Sequence, residues 1–420
     1  MSRVISQDLQ ATGVAQVIVV LRQPPQVAPR AGAPAGAALG GPMMDVPMHG
    51  LERHFRGSEL SQDSALAASN LTGANATEPS VRYYPNLGVA FGTVDRAGLA
   101  ALRADPAVAS VQGAPKLSLI APERIADAKL TVNRTWGLTA LNAPGLWDRG
   151  FTGKGVLVGH LDTGVDGKHP ALKGAIGHYA EFDMLGFEVM PAPAPRDSGQ
   201  HGTHTAATIA GRPVLGRHVG MAPEATLASA MVIEGGNAVA RVLGGMDWAV
   251  GLRVQVLSMS LGFRGWWEDF IPIARILRRH QILPVFAVGN EGPGTSRSPG
   301  NYPQALSVGA MDRGHRVVGF SSSQRFVRRR DPLVPDLIGP GVGVTSAKPG
   351  GGWQDMDGTS MATPHIAGLA ALLMGARPKA SVGRIERAIF DSCRLEPTMP
   401  RDRANRGLPD GVAALGLLTP

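Results

Sequence analysis

Short apolar segments of the parallel-strand type recur from Trp136 onward, and they limit the folds open to this chain. The segments are Val156–Leu161, Thr226–Ile233, Val254–Met259, Ile282–Val288 and Ala305–Val308. Stretches with a helical period separate them, as at Ala238–Val250 and Phe270–Arg279. Strands this uniformly apolar are buried on both faces, and the intervening helices supply the cover. The sequence therefore predicts an α/β fold with a mainly parallel sheet and helices on both faces.

The amino-terminal part follows a different pattern, in which strands and helices are few and short. The predicted elements are a strand at Ala15–Leu21, a helix at Glu59–Ala68, extended structure at Val81–Val94 broken at Pro85-Asn86, a helix at Ala97–Arg103 and a strand at Pro106–Gln112. A Pro/Ala/Gly-rich insert at about residues 24–42 cannot hold a packed element. We expect a small α+β domain over residues 1–120, a linker over 121–134 and the main domain over 135–420.

The composition argues against several classes of function. Of 420 residues, 44% are hydrophobic, which is enough for a large core. Lys and Arg outnumber Asp and Glu by 41 to 33, a net charge of +8, but no aromatic-rich basic motif accompanies this excess. We therefore expect a solvated basic face and no nucleic-acid binding. The single cysteine, Cys393, excludes an internal disulfide, and its apolar setting indicates a packing role.

No segment approaches the ~20 apolar residues that cross a bilayer, so we expect no membrane span. Polar residues interrupt Met1–Ala15, which leaves no apolar core of the signal-peptide type. The location stays unknown: the sequence is compatible with the cytoplasm or with export by a non-classical route. We expect a monomer.

Four polar residues stand where a parallel-sheet fold gathers its working side chains. Asp162 and Asn290 each follow a predicted strand, so both lie at the carboxyl edge of the sheet. His201 opens one helical run, and Ser360 stands just before another, Met361–Met374. Each residue alone has an ordinary interpretation, as a turn-capping aspartate, a loop asparagine, a capping or packing histidine, or an N-cap serine.

Together the four residues have the makings of a serine nucleophile site. The Ser360 hydroxyl can attack a carbonyl, and His201 can take its proton and pass it to the leaving group. Asp162 can hold the imidazole in the required tautomer. The Asn290 amide and the Ser360 N–H can stabilise the resulting oxyanion. Four such coincidences in one fold are improbable, so the joint pattern predicts cleavage of acyl bonds.

The motifs around these residues resemble the signature blocks of the subtilisin-like serine proteases, or subtilases. The matching blocks are Asp162-Thr163-Gly164, His201-Gly202-Thr203-His204, Gly289-Asn290 and the run from Gly358 through Thr359, Ser360, Met361, Ala362, Thr363 and Pro364 to His365. The similarity extends over about Trp136 to Leu415. It implies a subtilisin-like catalytic domain that hydrolyses peptide bonds through an acyl-enzyme, with Asp162, His201 and Ser360 as the triad and Asn290 in the oxyanion hole.

The same resemblance implies where a polypeptide substrate binds. Two backbone edges should hold it as an added strand, and these are Ser260-Leu261-Gly262 and Gly235-Gly236. Ala287, Val288 and Gly289 should form one wall of the pocket for the side chain before the cut. The other wall falls near Arg297 to Gly300, where Arg297 is expected to fill or charge the pocket in part.

The amino-terminal domain is similar to a subtilase propeptide, which implies that the chain is made as an autoprocessed zymogen. Its own propeptide would then be an intramolecular inhibitor that leaves its tail in the active site. We expect self-cleavage between about Leu117 and Arg124, with the bond after Ile120 favoured.

Many subtilases hold a structural calcium ion with an acidic residue and an asparagine at positions where this chain has Ala171 and Val214. Neither side chain offers an oxygen ligand. We therefore expect no cofactor and no calcium at that site, and calcium elsewhere stays open.

Two other functions compete with a serine endopeptidase. A latent or non-catalytic peptide-binding scaffold would retain its propeptide permanently. An α/β-hydrolase esterase would need a Gly-x-Ser-x-Gly motif and the chain order Ser, acid, His. The sequence around Ser360 lacks the second glycine, and the chain order here is Asp, His, Ser.

Overall fold

A computed structural model describes residues 3–22, 50–56, 81–114, 116–234, 238–328 and 331–418. Contacts between Cα atoms divide the chain into two compact units, Met1–Pro115 and Lys116–Pro420. The predicted linker 121–134 therefore lies entirely within the second unit. The reason is a five-residue strand, Arg124–Ala128, which pairs with Trp353–Asp357.

In its described residues, the first unit contains a four-stranded antiparallel sheet and two α-helices. Its elements are α1 (Arg3–Ala11), β1 (Ala15–Leu21), a 3-10 helix (Leu51–His54), β2 (Val81–Tyr84), β3 (Val89–Val94), α2 (Arg96–Ala104) and β4 (Val108–Gly113). The strand order is β2-β3-β1-β4, which makes the predicted strand Ala15–Leu21 one of the two central strands. The predicted helix Glu59–Ala68 and the Pro/Ala/Gly-rich insert lie outside the described residues.

Each helix of the first unit buries one apolar side and has a local reason to form. Ile5 and Leu9 lie one turn apart on α1, and both are buried in the core of this unit. The carboxylate of Asp95 caps α2 by accepting the Gly98 N–H at 2.7 Å. Because polar residues separate the apolar ones in α1, the sequence shows no apolar run there, and this helix was not predicted.

The second unit contains a seven-stranded parallel sheet in the order β17-β14-β12-β10-β7-β9-β8. Its strands are β5 (Ser118–Leu119), β6 (Arg124–Ala128), β7 (Leu157–Asp162), β8 (Ile176–Glu181), β9 (Thr226–Met231), β10 (Val256–Met259), β11 (Leu261–Arg264), β12 (Leu283–Ala287), β13 (Arg297–Ser298), β14 (Leu306–Met311), β15 (Gln324–Arg325), β16 (Leu333–Val334), β17 (Leu337–Pro340), β18 (Val344–Ala347) and β19 (Trp353–Asp357). Its helices are α3 (Trp136–Ala140), α4 (Ala143–Trp147), α5 (His201–Ala210), α6 (Ala238–Gly251), α7 (Ile271–Arg279), α8 (Thr359–Ala376), α9 (Val382–Asp391), α10 (Arg401–Ala404) and α11 (Gly411–Leu417), with 3-10 turns at Pro170–Leu172 and Glu268–Phe270.

Both faces of the parallel sheet are covered, as predicted. Val256 and Val285 point from neighbouring strands into a core that they share with α5 and α8. Leu257 and Phe286, which point the other way because side chains alternate along a strand, are also completely buried. The α/β fold with a mainly parallel sheet is confirmed.

Two further findings concern the rest of the described chain. Cys393 lies just after α9, its thiol donates to the Ile389 carbonyl, and burial raises its pKa to about 12, so it stays a neutral thiol. In the described residues, every helix is too short or too polar to span a bilayer.

Buried histidines should make the fold sensitive to acid. His365 is completely buried on α8, its Nδ1 lies 2.8 Å from the Met361 carbonyl oxygen, and burial lowers its pKa from 6.5 to about 4. Because the folded-state pKa is depressed, the neutral ring stabilises the fold above pH 6.5. That stability is lost as the pH falls towards 4, since the unfolded chain binds the proton first.

We expect a Ser360→Ala protein, which cannot digest itself, to lose about 2 kcal/mol of unfolding free energy through His365 alone between pH 7 and pH 5. His365→Asn, which can keep a donor to the Met361 carbonyl, should flatten this dependence in denaturant titrations at both pH values. The control is His178→Asn, at a partly exposed position on β8, which should leave this pH dependence unchanged. A slope unaffected by His365→Asn would contradict the expectation.

Candidate active site

The carboxyl edge of the parallel sheet gathers the predicted site residues. Asp162 is the last residue of β7, Ser260 follows β10, and Asn290 follows β12. These three strands are neighbours in the sheet, so their ends lie side by side. His201 is the first residue of α5, and Ser360 is the second residue of α8.

Asp162 and His201 form a buried pair. Nδ1 of His201 lies 2.7 Å from Oδ1 of Asp162, and both side chains are almost fully buried. The Thr163 N–H donates to the same carboxylate oxygen at 2.7 Å. Burial opposes ionisation of Asp162, but His201 and these hydrogen bonds outweigh it and hold the pKa of the carboxyl below its usual value. Because the carboxylate can only accept, Nδ1 of His201 is the donor in this pair.

The start of α5 is fixed in two ways. The Asp197 carboxylate accepts the Thr203 N–H at 2.7 Å and the Thr163 hydroxyl at 2.7 Å, so it ties the helix to the turn after Asp162. In addition, a Cβ on Gly202 would lie 2.0 Å from the Gly164 carbonyl oxygen. Only glycine lets the two backbones approach this closely.

Asn290 is held by the residue beside the candidate nucleophile. Its Oδ1 accepts the Thr359 N–H at 2.9 Å and the Thr359 hydroxyl at 2.8 Å. This fixes the amide plane and leaves Nδ2 as the outward donor. On the other side, the Ser260 hydroxyl donates to the Ser360 carbonyl at 3.2 Å. The structure thus brings Asp162 next to His201, and Asn290 next to the start of α8.

A segment of the same unit lies across this site as an added strand. In the antiparallel pairing of β5 with β11, Ser118 lies opposite Gly262 and Leu119 opposite Leu261. The Ile120 N–H then donates to the Ser260 carbonyl at 3.0 Å. This contact places the predicted edge Ser260-Leu261-Gly262 against an extended peptide.

The hydroxyl of Ser360 and the amide of Asn290 engage successive peptide groups of this segment. The Ser360 hydroxyl donates to the Ile120 carbonyl oxygen at 2.6 Å, whereas Nδ2 of Asn290 donates to the Ala121 carbonyl oxygen at 2.9 Å. Attack on a carbonyl requires both groups at the same peptide. In this structure the two groups act on neighbouring carbonyls, Ser360 on Ile120 and Asn290 on Ala121, so the segment is not bound in the arrangement that attack requires.

Beyond Ala121 the segment stays attached to the second unit. The Glu123 N–H donates to the Asp357 carbonyl at 2.8 Å, and all five residues of β6 pair with β19. Meanwhile Nε2 of His201 is buried without a hydrogen-bond partner in the described part of the chain. The imidazole nitrogen that would accept a serine proton is thus unused while Ser360 bonds to Ile120.

Some of the predicted substrate-binding residues are described by the structure, and others are not. Ala287 ends β12, and Val288 continues the backbone pairing on both sides through Val308 and Arg297. A Cβ on Gly289 would lie 3.1 Å from Cγ of Arg297, so the Arg297 side chain passes beside this wall. Gly235 and Gly236 lie outside the described residues.

Arg297 is buried and has charged and polar partners. Its guanidinium pairs with Glu291 through Nε at 2.7 Å and donates to the Ser118 hydroxyl at 3.0 Å. Arg264 lies 3.5 Å from the same Glu291 carboxylate. Arg297 is therefore ion-paired, and the Glu291 carboxylate is shared between two arginines.

Some residues next to the site were not predicted from the sequence. Asp197 anchors α5, and His160 and Thr205 lie behind the Asp162 carboxylate. A histidine within the otherwise apolar strand before Asp162 was the visible signal for His160. Nothing in the sequence pairs it with Thr205.

The two positions expected to lack calcium ligands carry packing side chains. Ala171 is fully buried in the 3-10 turn Pro170–Leu172, and Val214 packs against the same core. In the residues that the structure describes, no group of three or more His, Cys, Asp or Glu side chains is placed to hold a metal ion.

Comparisons with known proteins find similar sequences over most of the second unit. The sequence model of the subtilase family matches residues 153–410 of this chain. Subtilisin E of Bacillus subtilis (strain 168) is 31% identical over 303 residues, which cover 71% of this chain and 73% of that protein. Subtilisin Savinase of Lederbergia lenta is 35% identical over 245 residues, covering 58% and 85%. An intracellular serine protease of Paenibacillus polymyxa is 33% identical over 288 residues, covering 66% and 80%.

The matched region contains the parallel sheet, the Asp162–His201 pair and the serine at the start of α8. The chain belongs to the subtilase family and is a subtilisin-like serine endopeptidase.

Proposed function

We propose that the peptidase activity is carried by Asp162, His201 and Ser360, with Asn290 as an oxyanion donor. Ser360 attacks the carbonyl carbon of the peptide, and His201 accepts its proton through Nε2. Asp162 holds the imidazole by its bond to Nδ1 and stabilises the charge that forms. His201 then protonates the leaving amine, and water hydrolyses the acyl-enzyme by the reverse sequence.

The observation that carries this proposal is the position of a backbone carbonyl against the nucleophile. The Ser360 hydroxyl donates to the Ile120 carbonyl, and the Ile120 N–H donates to the Ser260 carbonyl. A site that holds extended backbone in this way suits polypeptides, since main-chain pairing does not require particular side chains. This also argues against a small-ester hydrolase.

We further propose that the chain is a zymogen that cleaves itself after Ile120. Two facts support this bond. The pairing on the amino side of the cut is already formed up to Ile120. The alternative bond, after Ala121, would have Pro122 as its leaving residue, and proline has no N–H and a fixed ring geometry.

In this scheme residues 1–120 are the propeptide, and its tail, Ser118–Ile120, is the part that inhibits the active site. While this segment occupies the site, Ser360 donates to Ile120 and not to His201. Attack would require the Ile120 carbonyl to turn towards Nδ2 of Asn290 and the Ser360 N–H. That turn also frees the Ser360 hydroxyl for Nε2 of His201.

A fluorophosphonate probe tests the proposed nucleophile. We expect it to attach to Ser360 of the processed wild-type protein and to leave Ser360→Ala unlabelled, because the probe requires an activated hydroxyl. Peptide mapping by mass spectrometry locates the adduct. Ser258→Ala, a serine within β10, is the matched control and should still be labelled. Labelling that survives Ser360→Ala would contradict the assignment.

Self-cleavage has its own readout. We expect purified wild-type protein to contain a chain that begins at Ala121, and Ser360→Ala to remain intact, as measured by intact mass and amino-terminal sequencing. Ile120→Pro removes the N–H that bonds to Ser260 and should block or move the cut. A wild-type protein that stays uncut after folding would argue for the latent scaffold.

We also propose that calcium does not bind beside Ala171 and Val214. Neither side chain offers an oxygen, so the site lacks the two side-chain ligands that many subtilases use for this hard cation. Differential scanning fluorimetry of Ser360→Ala should show no rise in melting temperature with added calcium. A large rise in melting temperature with calcium would contradict this proposal, provided that a chelator reverses it. The rise should also persist when acidic residues far from Ala171 and Val214 are replaced by basic ones, which excludes binding at those remote sites.

A further inference from the structure

A buried histidine lies behind the catalytic carboxylate, on the side away from His201. His160 is on β7, two residues before Asp162, so both side chains point to the same face of the strand. It is 1% exposed, in a strand that is otherwise apolar up to Asp162. A polar side chain in such a place is costly unless it is hydrogen-bonded.

His160 has one partner on each ring nitrogen. Nδ1 lies 2.9 Å from the Ser229 hydroxyl on β9, and Nε2 lies 2.8 Å from the Thr205 hydroxyl on α5. The Thr205 hydroxyl in turn lies 3.2 Å from Oδ2 of Asp162. Nε2 itself is 3.7 Å from this oxygen, which is too long for a direct hydrogen bond. His160 therefore reaches Asp162 through Thr205.

The directions of these hydrogen bonds follow from the charge on Asp162. An ionised carboxylate can only accept, so the Thr205 hydroxyl is the donor to Oδ2. Its proton is then used, and Thr205 must accept from Nε2 of His160. Nδ1 of His160 consequently accepts from Ser229. One neutral tautomer of His160 satisfies all three groups.

We propose that His160 is a positioning residue for the catalytic aspartate: by donating to Thr205, it directs the Thr205 hydroxyl to the second oxygen of Asp162. The inference rests on the proposed role of Asp162. Donors would then restrain both oxygens of the carboxylate, with His201 and the Thr163 N–H on Oδ1 and Thr205 on Oδ2.

Thr205 needs this direction because it has other acceptors. Its hydroxyl also lies 3.1 Å from the carbonyl oxygens of His201 and Gly202. Without the donor from His160, the hydroxyl is free to turn to these carbonyls, as threonine often does within a helix. Asp162 would then lose a donor, and the imidazole that it holds would be less well oriented.

The protonation state of His160 agrees with this role. Burial lowers its pKa, and nearby His201 acts in the same direction, while Asp162 and Asp197 oppose it. From the neighbouring strands β9 and β10, the residues that face it in register are Ser229 and Ser258, which carry no charge. The ring is therefore neutral at neutral pH, as the tautomer requires.

The test compares variants that remove different hydrogen bonds in the chain from His160 through Thr205 to Asp162. His160→Leu removes the donor, Thr205→Val removes the hydroxyl at nearly constant volume, and His160→Gln keeps an N–H near the position of Nε2. We expect kcat to fall about tenfold in the first two variants, with KM within about twofold, because a hydrogen bond to a charged group is lost. His160→Gln should recover most of the loss.

Two further readouts separate positioning from simple loss of packing. The double variant His160→Leu/Thr205→Val should be no slower than either single variant, since both remove the same connection. The acid-side midpoint of the kcat profile should move to higher pH in His160→Leu, because a carboxylate with fewer donors attracts the imidazolium more strongly. His204→Gln, a buried histidine on α5 that bonds to the Val344 carbonyl, is the control and should leave the midpoint in place.

The outcomes distinguish this inference from the proposed function. If a fluorophosphonate fails to label wild-type Ser360, the proposed function itself fails. If labelling occurs but Thr205→Val retains wild-type kcat, the role of His160 is overturned. Equal losses in His160→Gln and His160→Leu, or single-variant losses that multiply in the double variant, would also overturn it.

Discussion

The hydrogen bond between Asp162 and His201 is the contact on which the rest of the site depends. It joins the end of β7 to the start of α5 and places a carboxylate where water cannot reach it. A buried carboxylate is stable only with several donors, and the fold supplies them from the Thr163 backbone, His201 and Thr205. Much of the local sequence serves this bond, including the close approach of Gly164 and Gly202.

A second constraint is the segment that lies across the site. Main-chain pairing with β11 on one side and β19 on the other holds it in place. Between these two pairings, Ser360 and Asn290 engage neighbouring carbonyls and not the same one. The described state is therefore a bound and unreactive form. In the proposed mechanism a substrate pairs with β11 in the same way as this segment.

Much of the fold follows from local pattern, and this part could be predicted. The strand Ala15–Leu21 has the predicted bounds, and β7 differs from its prediction by one residue at each end. These segments are mainly apolar runs whose burial does not depend on a particular partner. The sequence motifs also indicated Asp162, His201, Asn290 and Ser360, which the structure places at one edge of the sheet.

The parts that were not predicted depend on contacts between distant residues. β6 is an exposed, mixed segment that becomes a strand only because β19 offers an edge. Thr205 looks like an ordinary helical threonine until β7 brings His160 to it. Asp197 lies in a loop, and its role appears only when Thr163 and Thr203 converge on its carboxylate.

If the Asp162 carboxylate orients and stabilises His201 as proposed, replacing it with an uncharged group of the same shape should strongly reduce turnover. Asp162→Asn keeps the shape of the side chain but presents either an uncharged oxygen or an N–H to Nδ1. A trace of wild-type enzyme brings the variant to the same processed state, and its activity is subtracted from the measured rate. The kcat of the variant on a reporter peptide at neutral pH should then be about 10⁴-fold lower than that of wild type. Retention of kcat within about tenfold of wild type in a correctly folded Asp162→Asn protein would contradict the account.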